Sequence, residues 1–183
     1  MGHPDVEELW MRMRVAREAG GANEASPEQL KRHRELAALC PAFTPNLLEL
    51  ARLLLLTDEP GESAEKGFAE IQHLLGQAVH ASNRSAPALL ELAHFIDSVR
   101  NTPEEAEKLF EECAARALQT VEGAWSALLN LWTMENRKET LEKALKLGAM
   151  AEKLFPPEAS IHADVARARR FAALAGLIPE ERP

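Results

Sequence analysis

The segment PNLLELARLLLL at residues 45–56 is followed, 42 residues later, by the closely similar PALLELAHFI at residues 87–96. The same offset relates Phe68 to Phe110 in the segments that come next. Several anchors at one offset indicate a repeated structural unit, because periods of about 20–50 residues are typical of stacked repeats. A third, weaker copy begins at an offset of 39 from the second, and a degenerate copy precedes the first.

Apolar residues in each copy fall three and four positions apart, which places them on one face of an α-helix. In the first copy this face comprises Leu47, Leu50, Ala51 and Leu54. The small side chain of Ala51 allows a partner helix to approach closely. Each copy holds two such helices, and because one pair cannot bury both of its apolar faces, we expect the pairs to stack.

Composition and helix-end signals favour an all-α chain. Leu and Ala, both strong helix formers, dominate an apolar content of 46%, and no segment alternates in the manner of a strand. Residues 26–29 and 102–105 each combine an N-cap residue with a proline at the first helical position. We predict about nine helices, near residues 4–19, 27–39, 45–57, 62–81, 86–99, 103–121, 124–135, 138–155 and 158–175.

The charge and the cysteine content exclude several classes of protein. The formal net charge is −8, which argues against a nucleic-acid partner because binding phosphates requires a dominant basic surface. The first residues show no signal-peptide pattern, and the longest apolar cluster, residues 53–56, is too short to span a membrane. Two cysteines are too few for a disulfide framework. These features predict a cytoplasmic protein that does not bind membranes.

Small, bulky and closing residues recur at set positions in the copies. They are Leu50-Ala51, Leu92-Ala93, Ala64, Ala106, Ala144, Ala151 and Pro156. This pattern resembles the tetratricopeptide repeat family, whose units are helix–turn–helix pairs. The chain departs from the family's pattern at Trp132, where a small residue is usual, and at Gly148, where a bulky one is usual.

The resemblance implies an all-α fold, a right-handed superhelix of stacked helix–turn–helix repeats. It further implies one domain over residues 1–183, with a degenerate first repeat at 4–41, repeats at 44–85, 86–122 and 123–157, and a C-terminal helix at 158–175. A protein of this kind is a binding scaffold without catalysis, so we expect no cofactor and no metal. The partner is expected to be another protein or a peptide.

In the tetratricopeptide repeat family the first helix of each pair lines a groove, with groove positions one residue past the packing residues. Carried onto this chain, the groove would comprise Leu48, Arg52, Leu90, His94, Leu129, Thr133, Arg167, Arg170 and Phe171. An apolar column with a basic border suits an amphipathic helix or an extended peptide with acidic residues. The alternative is that these leucines pack against neighbouring helices or a folded-over terminus.

The amino-acid sequence is compatible with more than one biological role. A regulatory adaptor and an immunity-type protein that neutralises a toxin both fit an acidic repeat protein that acts by binding. A homodimer is a further option, because an uncapped end of a stack of repeats leaves apolar surface.

Two Glu-x-x-His motifs on consecutive predicted helices favour a second functional class. Such motifs place a carboxylate and an imidazole on one helix face, and with two further glutamates they bind two iron or manganese ions in four-helix bundles. The residues of this alternative are Glu70, His73, Glu91 and His94, with Glu49 and Glu112 as the additional ligands. No nucleophile elbow, phosphate loop or dinucleotide motif is present. We therefore predict a non-catalytic protein and keep the dinuclear metal site as the alternative.

Overall fold

All of the secondary structure in the described residues is α-helical, as the sequence predicted. The computed structural model describes residues 4–20, 25–61 and 63–179. The helices are α1 (Val6–Glu18), α2 (Pro27–Leu39), α3 (Thr44–Leu55), α4 (Ala64–Ala81), α5 (Ala86–Ser98), α6 (Pro103–Glu135), α7 (Lys138–Leu154) and α8 (Ile161–Leu174). Within those three ranges, no helix has both the length and the apolar content that crossing a bilayer requires.

The described residues form eight helices rather than nine, because the helices predicted at 103–121 and 124–135 are one helix, α6. The expected break between residues 121 and 124 does not occur, since Gly123, the one glycine there, costs a helix only about 1 kcal/mol. The other helices begin and end within three residues of the predicted limits. One predicted start, at residue 62, lies outside the described residues.

Serine caps begin two helices of the first half of the chain. The Ser26 hydroxyl accepts a hydrogen bond of 3.0 Å from the Gln29 backbone N–H, which confirms the cap predicted there. Ser63 does the same for the Lys66 N–H at 3.3 Å. Prolines occupy the first turns of α2, α3 and α5, where the missing N–H leaves no helical hydrogen bond unmade.

The chain folds as two compact units, Met1–Arg116 and Ala117–Pro183. The main core of the first unit includes Leu47 and Phe95, and a smaller cluster containing Met13 packs near the N-terminus. The core of the second unit includes Leu129 and Ile161. The single domain and the repeat limits expected from the sequence stay predictions.

The two similar segments that begin at Pro45 and Pro87 lie in equivalent surroundings. Leu47 on α3 and Leu89 on α5 are both fully buried, and so are the small residues Ala51 and Ala93. Each segment is the first helix of a helix pair. The offset of 42 residues therefore corresponds to one structural repeat within the first unit.

The third copy is in a different register from the one predicted. Leu129 and Thr133 are 0% and 1% exposed, whereas Leu128 and Leu131, which were expected to pack, are 37% and 55% exposed. The buried Leu129 corresponds to Leu89 at an offset of 40 rather than 39. Both faces of this stretch are apolar, so the spacing of apolar residues could not identify the buried one.

Candidate functional site

Leu48 and Leu90 lie at equivalent positions on the first helices of successive pairs, α3 and α5. Each follows a fully buried leucine by one residue, so its side chain points about 100° away from the most buried direction. Leu90 is 40% exposed, and Leu48 is half-buried against the core of the first unit. These two leucines form the apolar part of the candidate surface.

Arginine–glutamate ion pairs join successive first helices next to these leucines. Arg17 on α1 donates to Glu49 on α3 at 3.3 Å. Arg52 on α3 donates to Glu91 on α5 at 2.6 Å. The charge of Arg52, predicted as a basic border for an acidic partner, is therefore balanced within the chain.

His94 extends the candidate surface by one turn of α5 beyond Leu90. The exposed imidazole packs edge-to-face against Phe110 on α6, with ring centroids 5.1 Å apart and an interplanar angle of 72°. This contact holds the ring in one orientation while its outer edge faces solvent. The candidate surface, defined by Leu48, Arg52, Leu90 and His94, is called the α3–α5 face below.

Leu129 and Thr133 do not belong to an accessible surface. Both are buried in the second unit, and Leu129 is part of its core. Their assignment to the groove is corrected here, because the shifted register of α6 turns them inward. The predicted column of three leucines thus keeps two members, Leu48 and Leu90.

The remaining predicted groove residues lie on α8, in the second unit. Arg167 donates to the side-chain oxygen of Asn130 and forms an ion pair of 3.2 Å with Asp164. Arg170 is exposed, and Phe171 is half-buried. Arg167 therefore holds α8 against the second half of α6, which is a structural task within the second unit.

Arg34 on α2 binds two carboxylates at once. Its guanidinium donates to both oxygens of Glu70 on α4, each at 2.8 Å, and to both oxygens of Glu59 in the α3–α4 loop, at 2.9 and 2.5 Å. The hydrogen bond to Glu59, followed by the one to Glu70, raises the pKa of Arg34. The same bond lowers the pKa of Glu59. Arg34 thus fixes the loop against the two helices.

A cleft of about 760 Å³ lies beside this arginine, lined also by Leu54 and Phe68. The sequence has a basic run at Lys31–Arg34, but no local pattern indicates the partners of Arg34, which are 25 and 36 residues away. The run does not form one basic patch, because His33 is fully buried and its Nδ1 lies 2.7 Å from Oδ1 of Asn46.

Every glutamate of the dinuclear metal alternative is bound by an arginine from another part of the chain. The pairs are Glu49 with Arg17, Glu70 with Arg34, Glu91 with Arg52, and Glu112 with Arg84. His73 and His94 are exposed. Across residues 4–20, 25–61 and 63–179, no three His, Cys, Asp or Glu side chains come close enough together to hold a metal ion. The structure does not support the metal site, because each of these carboxylates is already held in an ion pair with an arginine.

Comparison with known proteins identifies the repeats. Residues 1–83 match the Myxococcota tetratricopeptide repeat protein family. A Myxococcus xanthus relative, described as an uncharacterized 18.1 kDa protein in carS 3'region, is 37% identical over 141 residues, which are 77% of this chain and 81% of the relative. The chain belongs to this tetratricopeptide repeat family.

The family match includes α1 to α4, so two helix pairs of the tetratricopeptide repeat type lie within the matched residues. No solved structure gives a significant match to the chain. Membership of a tetratricopeptide repeat family indicates a protein-interaction module, and such modules generally act without catalysis.

Proposed function

We propose that this tetratricopeptide repeat protein is a non-catalytic interaction module that binds a partner protein through the α3–α5 face. The observation that carries the proposal is the repetition of Leu48 and Leu90 one helix pair apart, each next to an ion-paired glutamate. Apolar anchors supply buried area, and a charged rim supplies orientation.

The ion pairs beside the α3–α5 face limit the kind of partner that this face can bind. Because Arg52 is already neutralised by Glu91 and Arg17 by Glu49, a strongly acidic peptide would have to displace carboxylates that are held in place. The better occupant is an amphipathic helix or extended segment whose apolar side contacts Leu48 and Leu90. Its polar side would then meet His94 and the balanced ion pairs at the rim.

Two biological roles fit this mode of binding. A regulatory adaptor and a toxin-neutralising protein both work by covering a surface of the partner, without making or breaking bonds. A cytoplasmic location belongs to the same proposal, because Cys40 and Cys113 are both free thiols, as expected in a reducing compartment.

The test compares two leucines of similar exposure in the first unit. Leu90 is 40% exposed on the α3–α5 face, and Leu39 is 43% exposed at the end of α2. The tagged chain captures its partner from native extract, and the identified partner is then titrated against each variant. We expect Leu90→Gln to weaken binding by about tenfold, or ~1.4 kcal/mol, and Leu39→Gln to bind as the wild type does.

Glutamine is neutral and compatible with helices, so circular dichroism should show equal helix content in both variants. Equal affinity of the Leu90→Gln variant and the wild type would exclude the α3–α5 face as the binding surface. Equal weakening by both substitutions would show that the effect is not specific to this face.

A further inference from the structure

The second half of α6 carries apolar residues on two faces. One face contains Leu129 and packs in the core of the second unit. The other is exposed and follows helical spacing, so it forms one stripe along the helix. This α6 stripe comprises six apolar residues and one threonine, all of them exposed: Ala117, Thr120, Ala124, Ala127, Leu128, Leu131 and Met134.

Three polar side chains of this stretch point away from the α6 stripe. Glu122 accepts a hydrogen bond of 2.9 Å from the Ser160 hydroxyl, and Ser126 and Asn130 hydrogen-bond to Asp164 and Arg167 of α8. These side chains recur every four residues and lie on the side of α6 that meets α8. Glu122 is the one charged residue between positions 117 and 134.

A surface of this kind requires a covering partner. Leu131 and Met134 are 55% and 80% exposed, although both are large apolar side chains. Helices that are apolar all round are buried on all sides, and contiguous exposed apolar surface marks a site of association. Because the α6 stripe carries no charge, we expect the surface that covers it to be uncharged as well.

The order of residue sizes along the stripe identifies a second copy of the same chain. Ala117 and Leu131 lie seven residues before and after Ala124, and Thr120 and Leu128 lie four before and four after. When two stripes pack antiparallel about a two-fold axis at Ala124, Ala117 of one copy faces Leu131 of the other, Thr120 faces Leu128, and the two Ala124 side chains meet at the axis. We propose that the α6 stripe is a homodimer interface with this arrangement, a self-complementary surface of the kind that two-fold symmetry requires.

The length of the α6 stripe sets the expected strength of the dimer. The stripe runs over 18 residues, which corresponds to about 27 Å of helix. A single pair of helices of that length buries an area at or below the lower end of specific interfaces. The dimer should therefore be weak, with a dissociation constant in the micromolar range, and should depend on protein concentration.

Sedimentation velocity over a range of about 1 µM to about 1 mM tests the proposal. We expect the mass of the wild-type chain to rise from 20.2 kDa toward twice that value. Ala124→Glu places two carboxylates at the two-fold axis, so this variant should stay monomeric at every concentration. Leu118→Gln is the matched control, because Leu118 is 43% exposed on the same helix but outside the α6 stripe, and it should dimerise normally.

Disulfide formation tests the geometry separately. In an antiparallel pair the two Ala124 positions face each other, so Ala124→Cys should give a covalent dimer under oxidation, whereas Leu118→Cys should not exceed the wild-type background from Cys40 and Cys113. A monomeric wild type, an Ala124→Glu variant that still dimerises, or equal cross-linking at position 118 would each overturn the proposal. None of these outcomes bears on the α3–α5 face, which is tested by other variants.

Discussion

Arg52 on α3 donates a hydrogen bond of 2.6 Å to Glu91 on α5, and so joins two consecutive helix pairs. The sequence predicted a different task for Arg52, the basic border of a groove, and named Glu91 as a metal ligand only in the alternative function. Because the two side chains pair with each other, Arg52 does not offer a free charge to an acidic partner, and Glu91 does not offer one to a metal ion. Because the arginine is more than half exposed, the ion pair contributes about 0.2–1 kcal/mol, and its main effect is to hold α3 and α5 in register.

An exchange of the two charges tests this interpretation. We expect Arg52→Glu to weaken partner binding, because two glutamates then repel across α3 and α5, and we expect the double variant Arg52→Glu, Glu91→Arg to recover it. Urea unfolding should show the same recovery, with a coupling energy of about 0.2–1 kcal/mol. If stability recovers in the double variant but partner binding does not, the guanidinium of Arg52 contacts the partner directly.

Loss of the Arg34 side chain should destabilise the first unit more than loss of a surface arginine. Arg34→Gln leaves Glu59 and Glu70 close together without the guanidinium that binds both, and we expect the free energy of unfolding to fall by about 1–3 kcal/mol. Arg32→Gln is the control, since Arg32 pairs with Glu28 on the same exposed helix face at 2.8 Å and should lower the unfolding free energy much less. Urea titrations followed by circular dichroism measure both, and equal losses would contradict the structural role of Arg34.

The loss of stability at acid pH should depend on Glu59. The hydrogen bond from Arg34 lowers the pKa of Glu59 in the folded state, while the unfolded chain has the ordinary glutamate value of about 4.3. The stabilisation is therefore complete above about pH 4.3 and is lost as the pH falls through the lower, folded-state pKa. We expect the wild type to be more stable than Glu59→Gln at about pH 7, and the difference to shrink as the pH falls below the ordinary glutamate value of about 4.3.

Urea unfolding of both proteins at several pH values measures this convergence. A difference in unfolding free energy that stays constant from neutral to acid pH would mean that the charge of Glu59 does not contribute.

Gly148 explains one departure from the repeat pattern. A Cβ added there would lie 3.0 Å from Cγ1 of Val165 on α8, so the family's bulky residue has no room. We expect Gly148→Ala to lower the unfolding free energy by about 1–2 kcal/mol despite a better helix propensity, because the buried, β-branched Val165 has little freedom to move. A rise in the thermal midpoint of this variant would show that α8 moves aside.

The matched glycine is Gly123 on α6, where an added Cβ would meet no atom within 4 Å. Gly123→Ala should gain up to about 1 kcal/mol of helix propensity. Thermal unfolding of the two variants side by side therefore separates the packing effect at Gly148 from the backbone effect common to both.

The positions of the helices were predictable because the signals that start a helix and set its buried face lie within a few neighbouring residues. The cap at Ser26 and the apolar spacing from Leu47 to Leu54 are each contained within a few residues. The prediction failed at Gly123, since one glycine permits either a turn or a continuous helix. It failed again at Leu129 because both faces of that stretch are apolar, and spacing alone cannot rank two apolar faces.

The candidate site was only half predictable for a different reason. The accessible positions of Leu90 and His94 follow from their place one residue past a packing residue on α5. The pairing of Arg52 with Glu91 joins residues 39 positions apart, and that of Arg34 with Glu70 joins residues 36 positions apart. No local pattern distinguishes an arginine that is free to bind a partner from one that a distant carboxylate has already engaged.

By itself, then, the amino-acid sequence determined the helical class, the period of the first repeats and the membership of a tetratricopeptide repeat family, because each is expressed in the spacing of neighbouring residues. Tertiary structure alone decided which face of α6 is buried and which arginines are neutralised. Both depend on distances between helices, and those distances arise when the whole set of apolar faces is packed at once rather than from any one segment.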